Sequence, residues 1–248
     1  MNPEHSHLSK KERRQLRRGE KIAAELHQTR RRFTRRIAVW SSVLIGIGTV
    51  VFMIVKLSTQ PPASGVPVVP SRIEITPEDW IKGESGSKVV LVEYSDFQCP
   101  ACGTYYPILK QLYKEFGDRL QFVYRHFPLE QHRHADQAAR AAEAAGRQGR
   151  IWEMHDLLFE GQATWANQNH PEEMFIGYAR QLGLDIERFR ADLDSREGKK
   201  AVEEDRISGN RVGVNSTPTF FLDGVIIQNP RNYDEFRNLL QQAIESRS

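Results

Sequence analysis

The chain contains two cysteines, and only two residues separate them, in the sequence Cys99-Pro100-Ala101-Cys102. Residues 89–94, just upstream, form an apolar-rich run typical of a buried strand, and residues 103–116 carry apolar side chains at helical spacing. The pair is therefore predicted where a strand leads into a helix. Pro100 suits the first helical position, which puts Cys99 at or near the N-cap. Free N–H groups and the positive end of the helix dipole would stabilise a Cys99 thiolate, whereas Cys102 would be shielded one turn deeper.

Two other interpretations of the cysteine pair remain open at this point. A zinc site needs about four ligands, and the close pair His132 and His134 lies beyond the next predicted strand without the spacing of a second half-site. A purely structural disulfide would stabilise the fold little, because the loop that it closes is very short. A redox-active dithiol is the interpretation that the sequence favours, and we expect no metal site.

The two ends of the chain differ strongly in charge. Residues 1–36 contain twelve Lys and Arg against four Glu, whereas residues 57–248 contain 22 Lys and Arg against 28 Asp and Glu. An acidic C-terminal part is a poor candidate for nucleic-acid binding, and we expect no nucleic-acid partner. The basic tail itself could contact nucleic acid or anionic lipid, although membrane topology is sufficient to explain it.

Residues 37–55 form an uncharged run of nineteen residues. A helix of that length spans about 28 Å, close to the hydrocarbon thickness of a bilayer. The sequence therefore predicts a basic cytoplasmic tail at 1–36 and a single transmembrane anchor at 37–57, with the following domain outside the cytoplasm by the positive-inside rule. A cleavable signal peptide is the alternative, but the basic segment is long for one and residues 56–60 lack a small-x-small cleavage pattern.

Residues 58–71 are rich in proline and predict an extended linker, so that a folded domain would occupy residues 72–248. Thr76-Pro77-Glu78 suits a helix start, and residues 120–126 predict a second strand. Residues 131–211 predict a block of helices, the last of which runs over residues 186–207. Asp223-Gly224, flanked by apolar runs, indicates a hairpin, and an amphipathic helix follows. This order predicts an α/β thioredoxin-like fold with an all-helical insertion, preceded by a single N-terminal transmembrane helix.

Three motifs occur along this domain. They are residues 92–102 (VEYSDFQCPAC), residues 125–129 (RHFPL) with the following Ala-rich helix and residues 152–155 (WEMH), and residues 216–220 (STPTF). With these motifs the chain resembles the DsbA-like family of thiol-disulfide oxidoreductases, from residue 73 to the C-terminus. The predicted anchor is similar to that of tethered members of the family.

The resemblance implies roles for three further residues. Pro218 would be a cis-proline facing the active-site disulfide, and Thr217 would pair through its main chain with an extended substrate; the alternative is an ordinary trans-proline opening a strand. Glu93 would be a buried acid that exchanges a proton with Cys102; the alternative is a solvent-facing residue on an edge strand. We expect Asp96 nearer the surface, at the turn, and His126 packed at a strand end.

The resemblance also implies a function, with one departure. The best-known oxidases carry a histidine between the cysteines, whereas this chain has Ala101, which leaves its oxidising power open. The predicted function is an inner-membrane-anchored periplasmic disulfide donor that acts on reduced exported proteins and is recycled by a quinone-linked membrane partner. The alternatives are a tethered reductase or isomerase, a peptide-binding chaperone and a zinc-holding adaptor. No metal, flavin or nucleotide motif is present, so we expect no bound cofactor.

Overall fold

The computed structural model describes residues 73–83 and 86–247, together with five helical residues further upstream: Gly46, Gly48, Thr49, Phe52 and Met53. The predicted cytoplasmic tail, the linker and all but those five residues of the predicted anchor lie outside the described residues. In the part of the chain that the structure describes, no helix has both the length and the apolar character needed to cross a membrane.

After a first strand that the sequence did not predict, the described elements follow the predicted order: strand, helix, strand, helical block, hairpin and helix. In chain order they are β1 (Trp80–Lys82), β2 (Val89–Ser95), α1 (Pro100–Phe116), β3 (Leu120–His126), α2 (Ala135–Gly146), α3 (Ile151–Glu160), α4 (Gln162–Trp165), α5 (Glu172–Gln181), α6 (Ile186–Leu193), α7 (Arg196–Arg211), β4 (Thr219–Leu222), β5 (Val225–Ile226) and α8 (Tyr233–Glu245). Helices α2 to α7 form the helical block between β3 and β4.

The five strands form one mixed sheet in the order β1-β3-β2-β4-β5, so β2 lies at its centre. Strand β2 pairs in parallel with β3 and antiparallel with β4, and the edge strands β1 and β5 are both antiparallel to their neighbours. The predicted hairpin is confirmed: Asp223 and Gly224 both have positive φ, 52° and 82°, as a type I′ turn requires. Because the cysteine pair follows β2 and Pro218 precedes the neighbouring strand β4, this central position places them at the middle of one edge of the sheet.

Alternation along β2 divides its side chains between two apolar layers. Val89 and Leu91 pack into the core that contains α1, α8 and much of the helical block, whereas Val92 and Tyr94 pack into a smaller core on the other face. Glu93 has the same parity as Val89 and Leu91, so it faces the α1 side of the sheet. Burial on both faces explains the near-continuous apolar run of this strand.

Two sequence predictions about secondary structure are wrong. The Thr76-Pro77-Glu78 pattern begins only a single turn, because the Asp79 carboxylate is held by the buried Arg125 guanidinium at 2.6 and 2.8 Å and the chain then enters β1. The apolar pattern between Ile186 and Ile207 is two helices instead of one. The first ends at Leu193, and Ser195 caps the second by accepting a hydrogen bond from the Gly198 N–H.

Candidate active site

The cysteine pair lies at the N-terminus of α1, as predicted. Cys99 has extended backbone angles (φ −71°, ψ 121°) and Pro100 occupies the first turn. The Cys99 N–H donates to the Asp96 carbonyl at 3.0 Å, and the Cys99 carbonyl accepts from the Gly103 N–H at 3.1 Å. Pro100 and Ala101 are exposed, whereas both cysteines are buried free thiols. The motif therefore presents a small apolar surface next to a recessed nucleophile.

The two thiols have opposite ionisation properties. A hydrogen bond from the Cys102 thiol lowers the pKa of Cys99 to about 5, despite the opposing effect of burial. Thr217 and the N–H groups of Ala101 and Cys102 lower the pKa of Cys99 by smaller amounts. Burial raises the pKa of Cys102 well above its ordinary range, and the nearby Glu93 carboxylate raises it further. At neutral pH Cys99 is thus a thiolate and Cys102 a thiol.

The Thr217–Pro218 peptide bond is cis, as the resemblance implied, and the alternative of a trans-proline is wrong. The Cys99 Sγ lies 3.4 Å from the Thr217 carbonyl oxygen. The Asn229 side-chain amide donates to the Pro218 carbonyl at 2.7 Å, and this contact fixes the loop just ahead of β4. The structure therefore brings together residues that are more than a hundred positions apart in the sequence, with the Thr217 main chain beside the nucleophilic sulfur.

Glu93 is 1% exposed and lies at the centre of the sheet, paired with Tyr124 of β3 and Phe220 of β4. The alternative of a solvent-facing edge residue is therefore wrong. Burial raises the pKa of Glu93 to about 8, partly opposed by the Ser95 hydroxyl and assisted by the charge of Cys99. A carboxyl group with this pKa can hold or release a proton near neutral pH.

Asp96 is 2% exposed, so the expectation that it lies nearer the surface is wrong. Its carboxylate accepts hydrogen bonds from the N–H groups of Gln98 and Leu129, at 2.7 and 2.9 Å, and lies 2.7 Å from the His132 Nδ1. A carboxylate with three polar partners can be buried without a large penalty. Asp96 therefore ties the turn before Cys99 to the loop after β3.

The histidines of the sequence prediction lie in separate environments. His126 is buried at the end of β3, as expected, and its Nε2 lies 3.0 Å from Glu143 Oε1. His134 Nε2 lies 2.8 Å from the Gln168 carbonyl oxygen. Among residues 73–83 and 86–247, no three His, Cys, Asp or Glu side chains come together in a way that could hold a metal ion.

Gln162, in the helical block, contacts the active site and was not identified from the sequence. Its side-chain amide donates to the carbonyls of Phe97 and Cys99, at 2.6 and 2.9 Å. Gly103 makes room for it, since a Cβ at Gly103 would lie 3.1 Å from the Gln162 Cδ and closer still to its Oε1. No local sequence pattern signals such a contact, because it joins residues about sixty positions apart.

This close approach leads to a testable prediction about two helical glycines. Gly103→Ala should lower the free energy of unfolding by about 1 kcal/mol. Displacing Gln162 loses two hydrogen bonds, whereas the helix gains only the higher helix propensity of alanine over glycine. Gly177→Ala is the matched control, because nothing lies within 4 Å of a Cβ there. It should raise the free energy of unfolding by up to about 1 kcal/mol. Urea unfolding measures both values, and equal stabilisation by the two variants would contradict the Gln162 contact.

Fold and site together define a class of protein. A Cys-Pro-Ala-Cys dithiol at a helix N-terminus, opposite a cis-proline in a mixed sheet with a helical insertion, is a thioredoxin-like arrangement. The model of the family described as Thioredoxin matches residues 76–242. The chain belongs to that family, and the predicted thioredoxin-like fold is confirmed.

Solved structures of similar fold include DsbA-like proteins. Wolbachia pipientis α-DsbA1 superposes with a TM-score of 0.62 at 18% identity, over 71% of this chain and 96% of that one. Bacillus subtilis BdbD in its oxidised form superposes with a TM-score of 0.61 at 22% identity, over 68% of this chain and 94% of that one. At these identities the comparison establishes the fold.

Curated relatives are more similar in sequence but much longer. One is a Na(+)/H(+) antiporter NhaA 1 of Salinispora arenicola, 42% identical over 160 residues, which are 64% of this chain and 23% of that protein. Another is a Na(+)/H(+) antiporter NhaA of Herminiimonas arsenicoxydans, 42% identical over 151 residues, which are 60% of this chain and 23% of that protein. The chain spans about a quarter of the length of the curated relatives it matches.

Proposed function

We propose that this protein exchanges the Cys99-Cys102 disulfide with cysteines of exported proteins, and that it acts as a disulfide donor. The observation that carries the proposal is the position of Cys99 at the N-terminus of α1 with the buried Cys102 one turn deeper, an arrangement that lowers the pKa of Cys99 and raises that of Cys102. The nucleophile also lies beside the Thr217 main chain, where an extended substrate segment can pair. Recognition would then depend little on the substrate's side chains.

The low pKa of Cys99 favours the donor direction over a reductase or isomerase. A stabilised thiolate stabilises the reduced form of the dithiol, and the corresponding disulfide is then a stronger oxidant. A pKa of about 5 lies between roughly 7 for thioredoxin and roughly 3.5 for DsbA. The hydrogen bond from Cys102 is the largest contribution to this stabilisation, and it does not depend on a histidine between the cysteines.

The reaction begins when a substrate thiolate attacks the Cys99 Sγ of the oxidised pair. The S–S bond breaks, Cys102 leaves as a thiolate, and it takes the proton of Glu93 because its own pKa is far higher. A second substrate thiolate then attacks the mixed disulfide and releases Cys99 as a stable thiolate. The substrate gains one disulfide, and the two electrons remain on the enzyme's dithiol.

Location and recycling belong to the same proposal. The basic segment 1–36 followed by the apolar run 37–55 supports a single-pass anchor in the inner membrane with the catalytic domain in the periplasm. The reduced enzyme needs an electron acceptor after each cycle, and a quinone-linked membrane protein supplies one. The partners are therefore reduced exported proteins and this recycling protein, without nucleic acid or a bound cofactor.

The first test uses the mixed disulfide. In cells that express Cys102→Ala, the Cys99 thiolate can still attack a disulfide of an exported protein, releasing one substrate cysteine as a thiolate. The resulting mixed disulfide should accumulate, because no second enzyme thiol can release it. Non-reducing electrophoresis of acid-quenched cells measures these adducts, and Cys99→Ser is the matched control that should form none. Absence of adducts in Cys102→Ala would contradict the assigned roles.

The direction of exchange is tested on the unmodified protein. Alkylation of free thiols in acid-quenched cells should show Cys99 and Cys102 mostly oxidised at steady state. A mostly reduced pair would instead establish the reductase or isomerase alternative. Full client oxidation in a Cys99→Ser, Cys102→Ser double variant would establish a chaperone without thiol chemistry.

A further inference from the structure

A cavity of about 30 Å³ lies between α1, α3 and the sheet. Glu93 and His155 both line it, and both are buried. Lys110 and Asp156 line it as well, and their side chains are 39% and 27% exposed. The cavity lining therefore extends from the buried carboxyl group to the protein surface, and its volume is enough for about two water molecules.

His155 has one satisfied and one unsatisfied ring nitrogen. Its Nδ1 lies 3.1 Å from Asp156 Oδ1, which fixes the tautomer with the proton on Nδ1. Its Nε2 is buried and has no hydrogen-bond partner among the described residues. The hydroxyl of Tyr124 is also buried and unsatisfied among them, and its ring contacts the His155 ring at 4.9 Å between centroids. Unsatisfied buried groups beside a cavity of this size are the setting in which ordered water is found.

The proposed reaction requires protons to reach the buried carboxyl group of Glu93. Each time Cys102 leaves the disulfide it takes the Glu93 proton. Glu93, whose pKa in the reduced protein is about 8, then takes up another proton at pH 7 and has to release it before it can accept the Cys102 proton during reoxidation. Glu93 is 1% exposed and enclosed by neighbouring strands on both sides, so direct contact with solvent does not supply that proton. A route through the cavity supplies that proton instead.

We propose that His155 is a relay residue that carries protons between solvent and Glu93 through water in this cavity, with Asp156 orienting its imidazole. The inference rests on the proposed function, since Glu93 needs rapid protonation only if Cys102 cycles. His155 accepts a proton at Nε2 from water on the solvent side, and the imidazolium is stabilised by the Asp156 carboxylate. It then passes the proton from Nε2 through water to the Glu93 carboxylate, and reoxidation of the dithiol reverses the transfer.

The protonation state of His155 at rest suits this role. Burial lowers the pKa of His155 below its ordinary 6.5, although the Asp156 carboxylate opposes the effect. The imidazole is therefore neutral at pH 7, with a free lone pair on Nε2. Burial opposes ionisation of Asp156, but the hydrogen bond to His155 and then Lys110, 3.0 Å away, lower the pKa of that carboxyl. It therefore stays ionised at the surface end of the cavity.

The experiment measures proton access to Glu93 directly, in the oxidised full-length protein. Mixing into D₂O at pH 7 converts the buried COOH to COOD, and time-resolved infrared spectroscopy follows the shift of its C=O band, assigned by its loss in Glu93→Gln. His155→Gln keeps the size of the side chain and can bond to Asp156, but it does not titrate. We expect the conversion to slow by about tenfold, because general acid–base groups contribute factors of this order or larger. His134→Gln is the matched control, a buried histidine outside the cavity, and should exchange like the unmodified protein.

Chemical rescue separates a proton carrier from a merely structural residue. His155→Ala should also exchange slowly, and added imidazoles should restore the rate to an extent that depends on their pKa values. An unchanged rate in a folded His155→Gln, or rescue that does not depend on the pKa of the added imidazole, would overturn the relay. Failure of the unmodified protein to exchange disulfides with a peptide would overturn the proposed function instead, since the infrared measurement requires no turnover.

Discussion

The reduced protein should titrate its Cys99 thiol with a midpoint near pH 5, and Cys102→Ala should raise that midpoint by about one to two units. The largest cause of the low pKa of Cys99, about 5, is the hydrogen bond from the Cys102 thiol. Hydrogen bonds to charged groups contribute about 1.5–3 kcal/mol, and 1.36 kcal/mol corresponds to one pKa unit. Removing the donor should therefore move the pKa by that amount, while the remaining donors keep it below that of free cysteine.

Cys102→Ser is the matched control for this titration, because its hydroxyl group can still donate to the thiolate. The pKa of Cys99 in this variant should stay within about one unit of the unmodified protein, an allowance of roughly 1.4 kcal/mol for altered donor geometry. Ultraviolet absorbance of the thiolate between pH 3 and 10 measures all three proteins, and the rate of iodoacetamide alkylation gives an independent midpoint. A midpoint near 8.5 in the unmodified protein, or equal shifts in the Ala and Ser variants, would contradict the role of the Cys102 donor.

Glu93→Gln should stabilise the folded protein and slow its turnover. The pKa of Glu93 is raised by burial from its ordinary 4.5 to about 8. Between these pH values the unfolded chain has released a proton that the folded protein retains, so the free energy of unfolding falls as the pH rises. At pH 7 this destabilisation is roughly 3 kcal/mol, and a neutral glutamine of similar size removes it. The gain should vanish below about pH 4.5, where the carboxyl is protonated in both states.

Urea unfolding under reducing conditions at several pH values from 4 to 8 measures this effect. Taking the difference between Glu93→Gln and the unmodified protein removes the contribution of Cys99, which has the opposite sign. Glu143→Gln is the matched control, because the His126 and Trp80 side chains lower the pKa of this buried carboxyl and its loss should destabilise the protein at pH 7. A Glu93→Gln variant that is less stable than the unmodified protein at pH 7 would contradict the buried, protonated acid.

Turnover separates the chemical role of Glu93 from its effect on stability. With no proton to give to the Cys102 thiolate, Glu93→Gln should exchange disulfides at least about tenfold more slowly at pH 7. Stopped-flow reduction of the oxidised protein by a cysteine-containing peptide measures this rate. An unchanged rate in a stabilised variant would make Glu93 a structural residue.

The local features of the site could be predicted from short stretches of sequence. Cys99, Pro100 and the helix that follows are neighbours in the chain, so backbone geometry and helix capping decide their arrangement without reference to the rest of the protein. The Asp223-Gly224 hairpin was predictable for the same reason, because both positions require positive φ. The break at Ser195 was missed, because the apolar spacing continues across it and only the capping hydrogen bond shows where one helix ends.

The contacts between the site and distant segments of the chain could not be predicted from short stretches of sequence. Asp96 looks like a surface turn residue until the loop after β3 brings His132 and the Leu129 N–H to it. Gln162 carries no distinctive pattern, and His155 lies in the WEMH motif without a role that the motif indicates. Both acquire their roles only because the helical block folds back over the sheet.

The sequence by itself determined the dithiol, its place at a helix start, the acid in the strand before it and most of the order of elements after β1, because each depends on residues close together in the chain. Only the tertiary structure decided which groups surround those sulfur atoms and that acid. Burial and hydrogen bonds between distant segments set their pKa values, since the free energy of a charge depends on the dipoles around it and on its access to water.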